Sequence, residues 1–372
     1  MRMGDLLNLV RLLKHWQLIC LVSFFFTSCD AQPYHETEIT FQNPHDGVKL
    51  AGTLTVPNSP GVHPAVLLIP GGGQMNRDEE CFGHRPFKVL ADYLARRGII
   101  SLRVDRRGCG QSEGTTEKFD IEDLIVDAQA GISYLKTCRQ TDIKHIGILG
   151  HSLGAIIAPA VANRTADVTF FVLIASPGIW GKGFFCMQAQ SIARAAGFAE
   201  KDCDNIRTLY NQLFPLLIKD KISHKEEETA KQLLEQLLMY EDWETRRLVG
   251  DESAEEKLET LRSDGVREFL SYDVAAEFSK LRCPVLALNG DRDIQVPSKE
   301  NLSLIEKSLR SGGNKDFKIV ELPGLNHMLQ ECRTGQITEY GEIKQTISPK
   351  ALELIGNWIV NTVKQKKSES VN

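Results

Sequence analysis

The order of apolar segments predicts an α/β fold: a mostly parallel sheet with helices on both faces, interrupted by an inserted helical stretch. Three observations carry that expectation. Segments such as Pro64 to Ile69, His145 to Gly150, Thr169 to Ile174 and Cys283 to Leu288 are short, largely apolar runs, as strands buried on both faces require. Helical stretches, notably Phe87 to Arg97, Asp120 to Lys136 and Ser298 to Arg310, alternate with them, which is the pattern of parallel strand–helix–strand units. Between Ser176 and about Asp273 the rhythm stops, and a charged stretch of helical period takes over, with Leu233, Leu234, Leu237 and Leu238 on one stripe.

Taken in order, Glu36 to Phe41 and Val48 to Val56 alternate apolar and polar residues around the turn residues Asn43 to Gly47, so they read as an antiparallel hairpin. His35, His45 and His63 fall in or beside such loops and are expected at the solvated surface. The strand Pro64 to Ile69 delivers Gly71, Gly72 and Gly73 to its carboxyl end, where sites collect in open α/β sheets. Successive glycines let a backbone approach a substrate and offer bare N–H groups to an oxyanion. The strand Ile99 to Val104 leads into the polar loop Asp105 to Ser112. The helix Asp120 to Lys136 places Ile121, Leu124, Ile125, Ala128 and Ile132 on one face. After the insertion come the strand Cys283 to Leu288, the helix from Ser298, the strand Phe317 to Glu321 and a final amphipathic helix from about Pro349 to Val363. A polar tail, Lys364 to Asn372, is expected to fray.

The composition, 42% hydrophobic and 25% charged over 372 residues, suits one large core plus an insertion. A formal net charge of −5 offers no broad basic face and argues against nucleic acid as a partner. The amino terminus differs from the rest. Arg2, Arg11, Lys14 and His15 precede the apolar run Trp16 to Phe26, too short to span a bilayer comfortably, which reads as an export signal. Two cleavage readings compete: Thr27-Ser28-Cys29 resembles a lipobox, with Phe26 where Leu is usual, and Cys29-Asp30-Ala31 offers an ordinary signal-peptidase site. The first is favoured because small residues directly precede Cys29. It would attach the mature protein to a membrane through a lipidated Cys29. Of nine cysteines, seven lie beyond this leader, with no C-x-x-C and no zinc-like spacing, and they read mostly as small buried hydrophobes.

The chemistry centres on Gly150-His151-Ser152-Leu153-Gly154, which joins an apolar strand to a small-residue-rich helix. A strand that turns at once into a helix strains the apical residue, lifts its side chain above the sheet and aims the first helical N–H groups beside it. Ser152 is therefore the candidate nucleophile. Gly110-Gln111-Ser112-Glu113-Gly114 matches the same pattern but lies in a polar loop, so Ser112 reads as structural. A serine nucleophile needs a base, and the base needs a carboxylate to orient it. His327, in the loop Leu322 to Met328, and Asp293, in the loop Asn289 to Pro297, both follow late strands and appear after the serine in the order acid, then histidine. Asp291 competes with Asp293 in the same turn. His151 is a second possible base, although its side chain should point away from the hydroxyl.

These motifs carry a resemblance. From about Glu36 to Val363, apart from the insertion, the chain resembles an α/β-hydrolase fold serine hydrolase. It is most similar to the bacterial esterase and serine-aminopeptidase-like branch, which has a glycine-rich loop followed by an N-R-D-E type segment (here Gly71 to Glu79), D-x-R-G-x-G-x-S (Asp105 to Ser112), G-H-S-x-G, and G-x-x-D-x-x-V-P (Gly290 to Pro297). The resemblance implies Ser152 as nucleophile, Asp293 as acid and His327 as base, with the oxyanion held by the N–H of Leu153 and of Gly72 or a neighbouring glycine such as Gly73. Many relatives carry His where Pro70 stands, so which glycine donates is left open. The resulting expectation is a signal peptide over 1–29, a hydrolase core over 34–175 and 274–363, a helical cap over 176–273 and the tail 364–372. The function expected is cleavage of carboxylic esters of small molecules through an acyl-enzyme, with no metal or organic cofactor. An exported peptidase or thioesterase, and an inactive binding lipoprotein, are the alternatives. Phe184, Phe185, Met187, Tyr210, Phe214 and Trp243 are candidates for an acyl or aryl pocket in the cap. The protein is expected to be exported to the cell envelope, as a periplasmic or outer-membrane lipoprotein or in a soluble secreted form.

Overall fold

The computed structural model describes residues 32–115, 120–240 and 252–369. The leader, its lipobox and Trp243 lie outside these residues. The expected hairpin forms β1 (Tyr34–Gln42) and β2 (Lys49–Pro57), paired antiparallel from Tyr34 opposite Pro57 to Gln42 opposite Lys49. Then come β3 (His63–Ile69), α1 (Pro86–Ala95), β4 (Ile100–Val104), α2 (Ile121–Thr137), β5 (Thr141–His151), α3 (Leu153–Ala162) and β6 (Val168–Ile174). Sheet order is β1-β2-β4-β3-β5-β6, continued by β7 (Val285–Gly290) and β8 (Phe317–Leu322). Every pairing from β4 through β8 is parallel; β1 and β2 are the antiparallel edge.

Each face of the sheet is covered by helices whose apolar stripes match it. On one face Ile125, Ile132 and Leu135 of α2 and Ile156 and Ile157 of α3 join Leu302, Ile305 and Leu309 of α10 (Ser298–Ser311). On the other, Phe87, Leu90 and Leu94 of α1 meet Ala351, Ile355 and Ile359 of α11 (Pro349–Glu369). Helix α3 is buried all round from Leu153 to Val161, as its apolar sequence demands. Each of its larger aliphatic side chains contributes about 1.5–3 kcal/mol by leaving water.

Between β6 and β7 no strand occurs among the described residues. Helices α4 (Lys182–Ala195), α5 (Glu200–Ile218), α6 (His224–Leu238), α7 (Ala254–Arg262), α8 (Asp264–Leu270) and α9 (Val274–Lys280) fill the interval. They have their own apolar centre, in which Ile206, Leu213 and Phe214 of α5 meet Leu233, Leu234 and Leu237 of α6 and Leu258 of α7. Helices α6 and α7 both begin with capping boxes, Ser223 with Glu226 and Ser253 with Glu256, each of which satisfies two otherwise orphaned backbone donors.

Two expectations are corrected. The last helix does not end at Val363 but continues to Glu369. Lys366 Nζ donates to the carbonyl of Thr169 at 2.7 Å, and Lys367 pairs with Asp142 at 3.2 Å, so this polar segment is anchored to the sheet. Cations in a last helical turn also suit the helix dipole. His63 is not a solvated surface residue: it is buried at the start of β3, with its ring between the carbonyls of Gly98 and Ser59. His35 and His45 are exposed. The seven cysteines among the described residues are all unpaired.

Candidate active site

Parallel pairing brings the carboxyl ends of β3, β5, β7 and β8 to one edge of the sheet, and each ends in one of the segments singled out above. Ser152 stands at the end of β5, before α3, with φ 52° and ψ −115°. A non-glycine residue held there costs about 1–3 kcal/mol of local strain. Its N–H donates to the carbonyl of Ile174 at 2.9 Å, which pins the turn to β6. The flanking glycines have separate steric reasons. A Cβ at Gly150 would lie 2.5 Å from the carbonyl carbon of Gly154, and one at Gly154 would strike the carbonyl of Ile69 on β3. The five-residue pattern is thus the condition for passing a helix start against two strands. Other left-handed non-glycine residues gather nearby: Glu79 after β3, Ala175 after β6 and Leu329 after β8.

His327 and Asp293 meet across 34 residues: His327 Nδ1 lies 2.7 Å from Asp293 Oδ2, and both are buried. The other carboxylate oxygen of Asp293 accepts the N–H groups of Gln295 at 2.9 Å and Val296 at 2.8 Å. This leaves Asp293 fixed and acceptor-only, so it holds a proton on His327 Nδ1 and leaves Nε2 as the basic nitrogen. Asp291 has a different task. Its Oδ1 accepts the Gly324 N–H at 2.6 Å and ties the two loops together.

The glycine-rich loop after β3 is held from two sides. Arg106 donates to the carbonyls of Pro70 at 3.2 Å, Gly71 at 2.7 Å and Gly73; burial holds its pKa below the ordinary arginine value. On the other side Glu79 Oε1 accepts the Gly71 N–H at 2.6 Å. Gly71 is therefore spent on the protein's own carboxylate, while Gly72 and Gly73 are exposed. Leu153 opens α3, so its N–H belongs to the helical turn that has no internal acceptor. These segments can present N–H groups to a developing oxyanion next to a serine, with an oriented imidazole at the same sheet edge.

Sequence reasoning missed Glu79. It lies inside the N-R-D-E segment, but its partner His151 is 72 residues away. Ser112 takes the structural role expected of it: its hydroxyl donates to the carbonyl of Asp105 at 2.7 Å and accepts the Ala51 N–H at 2.9 Å. The Asp105 carboxylate takes the Arg77 N–H and side chain, each at 2.7 Å. Burial alone would raise its pKa, yet these bonds hold it below the usual carboxylate value. Gly110 must be glycine, because a Cβ there would sit 2.5 Å from that carboxylate.

In the insertion, Phe185, Tyr210 and Phe214 line an apolar cavity of about 220 Å³ together with Ile206, Leu213 and Leu234. Gln188 is on its wall and donates to the carbonyl of Gln295, two residues from Asp293, at 3.0 Å. Phe184 instead stacks on Trp180 at 4.8 Å, and Met187 receives a hydrogen bond from Asn301 in α10 at 3.4 Å. Among the described residues no group of three or more His, Cys, Asp or Glu side chains is arranged to hold a metal ion.

A model of the alpha/beta hydrolase family matches residues 66–336. Esterase EstD of Thermotoga maritima is 25% identical over 333 residues, which span 89% of this chain and 69% of that protein. Among solved structures, Est1E of Butyrivibrio proteoclasticus with ferulic acid bound superposes with a TM-score of 0.51 at 19% identity, over 89% of this chain and 99% of that one. The Pyrococcus furiosus esterase Pf2001 gives 0.52 at 17% identity, over 89% and 91%. At such identities the two structures speak for the fold.

Proposed function

Since the chain belongs to the alpha/beta hydrolase family, we propose that it is a serine esterase that cleaves small carboxylic esters with an apolar acyl or aryl group. The observation that carries this reading is the buried 2.7 Å contact between His327 and Asp293 at the sheet edge that carries the strained Ser152. His327 Nε2 takes the Ser152 proton as the hydroxyl attacks the acyl carbon, and Asp293 stabilises the imidazolium that forms. The N–H groups of Leu153 and of Gly72 or Gly73 receive the oxyanion of the tetrahedral intermediate. His327 then protonates the leaving alcohol, and water, activated by the same base, releases the acid. The esterase name of EstD supports the ester over the amide or thioester.

The cavity lined by Phe185, Tyr210 and Phe214 within the inserted helices supports the apolar acyl or aryl group, and Gln188 on its wall reaches the loop that carries Asp293. Each methylene moved from water into such a space contributes about 0.8 kcal/mol. On p-nitrophenyl acetate, butyrate and octanoate, kcat/KM is expected to rise from acetate to butyrate by roughly tenfold. A series that is flat or falls with chain length rules out the cavity as the acyl site. Turnover of aminoacyl p-nitroanilides alone moves the protein to the peptidases.

The same proposal puts the mature domain at the cell envelope, held by lipid on Cys29. The charged-then-apolar leader ending in Thr27-Ser28-Cys29 supports it. Cells fed an alkyne-tagged fatty acid should label the protein, and Cys29→Ser should abolish the label; a variant that labels like the parent removes the lipoprotein assignment.

A further inference from the structure

Beside the His327–Asp293 pair is a second carboxylate–histidine pair that the reaction above does not use. His151, the buried last residue of β5, places Nδ1 2.8 Å from Glu79 Oε1 and Nε2 3.1 Å from the carbonyl oxygen of His327. Its ring lies 4.8 Å from the His327 ring, tilted by 47°. Glu79 is 2% exposed, and the oxygen that meets His151 also receives the Gly71 N–H. One connected path thus runs from the glycine-rich loop through Glu79 and His151 to the backbone of His327.

The protons on that path follow from its partners. An ionised carboxylate and a carbonyl oxygen can only accept hydrogen bonds. An imidazole between the two satisfies both only when both of its nitrogens carry protons; a neutral ring leaves one buried acceptor facing a lone pair. We infer that Glu79 holds His151 as an imidazolium and that this pair is a positioning device, fastening the oxyanion loop and the His327 backbone to the serine elbow. The charge on His151 is independent of the esterase reading; its catalytic consequence rests on that reading.

Every neighbouring element contributes to the electrostatics. Glu79 faces His151 from the loop after β3, Asp293 from the loop after β7 and His327 from the loop after β8, while Arg106, after β4, acts on Glu79. Burial opposes a charge on His151, but the attraction and hydrogen bond of Glu79, then the His327 carbonyl and Asp293, outweigh it, and the pKa lies above the usual histidine value. The sign follows: a raised value means that the charged ring, and the register it keeps, persist to higher pH than for an ordinary histidine and are lost as pH rises through it.

The direct test is nitrogen NMR of the full chain labelled with 15N-histidine, with His151→Gln used to assign the ring. Both His151 nitrogens should carry protons at neutral pH. A neutral His151 ring there overturns the inference whatever the enzyme hydrolyses. The positioning role is read from Glu79→Gln, which keeps an acceptor for Gly71 and removes the charge. It should lower kcat by about 10- to 100-fold, as expected for a displacement of about an ångström in the reacting groups, with KM changed by less than about threefold. The alkaline limb of kcat/KM should move to lower pH. A Glu79→Gln enzyme with parental kcat and an unmoved alkaline limb overturns the positioning role, because a carboxylate needed only for folding would change the amount of active protein and not its pH profile. A parent enzyme without ester turnover would defeat the functional reading while the NMR result still decided the charge.

Discussion

Ser152→Ala is expected to lower kcat/KM for the preferred p-nitrophenyl ester by about 10⁴- to 10⁶-fold while the protein keeps its circular dichroism and thermal midpoint. The size of the effect follows from what remains. Without the hydroxyl no acyl-enzyme forms, and only the N–H groups of Leu153 and the glycine loop, with substrate binding, still favour the transition state. Folding should be spared because the turn is fixed through the backbone: the Ser152 N–H is bonded to Ile174, and the clearances around Gly150 and Gly154 involve no serine oxygen. A fluorophosphonate probe should mark the parent and not the variant. Parental turnover in the variant would remove the nucleophile assignment, and a folded parent that never reacts with the probe would favour the binding-protein alternative.

Asp293→Asn should cost about 10³- to 10⁴-fold in kcat near neutral pH, the magnitude seen when a triad carboxylate becomes an amide and the histidine is held in the wrong tautomer. Asp293 Oδ1 already accepts two backbone N–H groups, which fixes the orientation of the side chain. In the variant the side-chain oxygen is retained there, and the NH₂ turns toward His327 Nδ1. That ring nitrogen must then accept, so the proton moves to Nε2, where the serine needs a base. Asp291→Asn is the matched comparison, since its oxygen can still accept from Gly324; it should change kcat less than about threefold. Equal losses in the two variants would mean that the loop, and not the Asp293 carboxylate, is what matters.

How far the sequence could be read depended on the range of each constraint. The elbow was legible because its requirements are local: strand, small residue, serine, small residue and helix are consecutive, and the clash around Gly154 needs no knowledge of distant segments beyond an adjacent strand. The late loops carrying Asp293 and His327 were legible through chain order and strand periodicity. From the turn alone Asp291 and Asp293 could not be separated, because both suit a turn and only the packing of β7 beside β8 decides which one faces the histidine; it was the motif resemblance that singled out Asp293. Glu79 was out of reach for the same reason on a larger scale. A glutamate next to Arg77 and Asp78 looks solvated until the loop folds beneath the serine elbow and buries it. The leucine stripe at 233–238 gave away the helical nature of the insertion, but a cavity made by pairing Ile206 and Phe214 with Leu234 depends on how helices cross. The lysine-rich end of α11 read as a fraying tail because its acceptors, Thr169 and Asp142, belong to other elements.

That last contact has a practical side. Lys366 and Lys367 reach the β5 and β6 region near Asp142 and Thr169, where those strands begin, whereas Ser152 stands where β5 ends. The described end of α11 therefore lies on the side of the sheet away from Ser152. A purification tag or solid support joined there through a spacer would leave the approach to the serine open, and trimming the chain back to Val363 to remove a supposed loose end would instead cut two of the ties that hold the outer helix to the sheet.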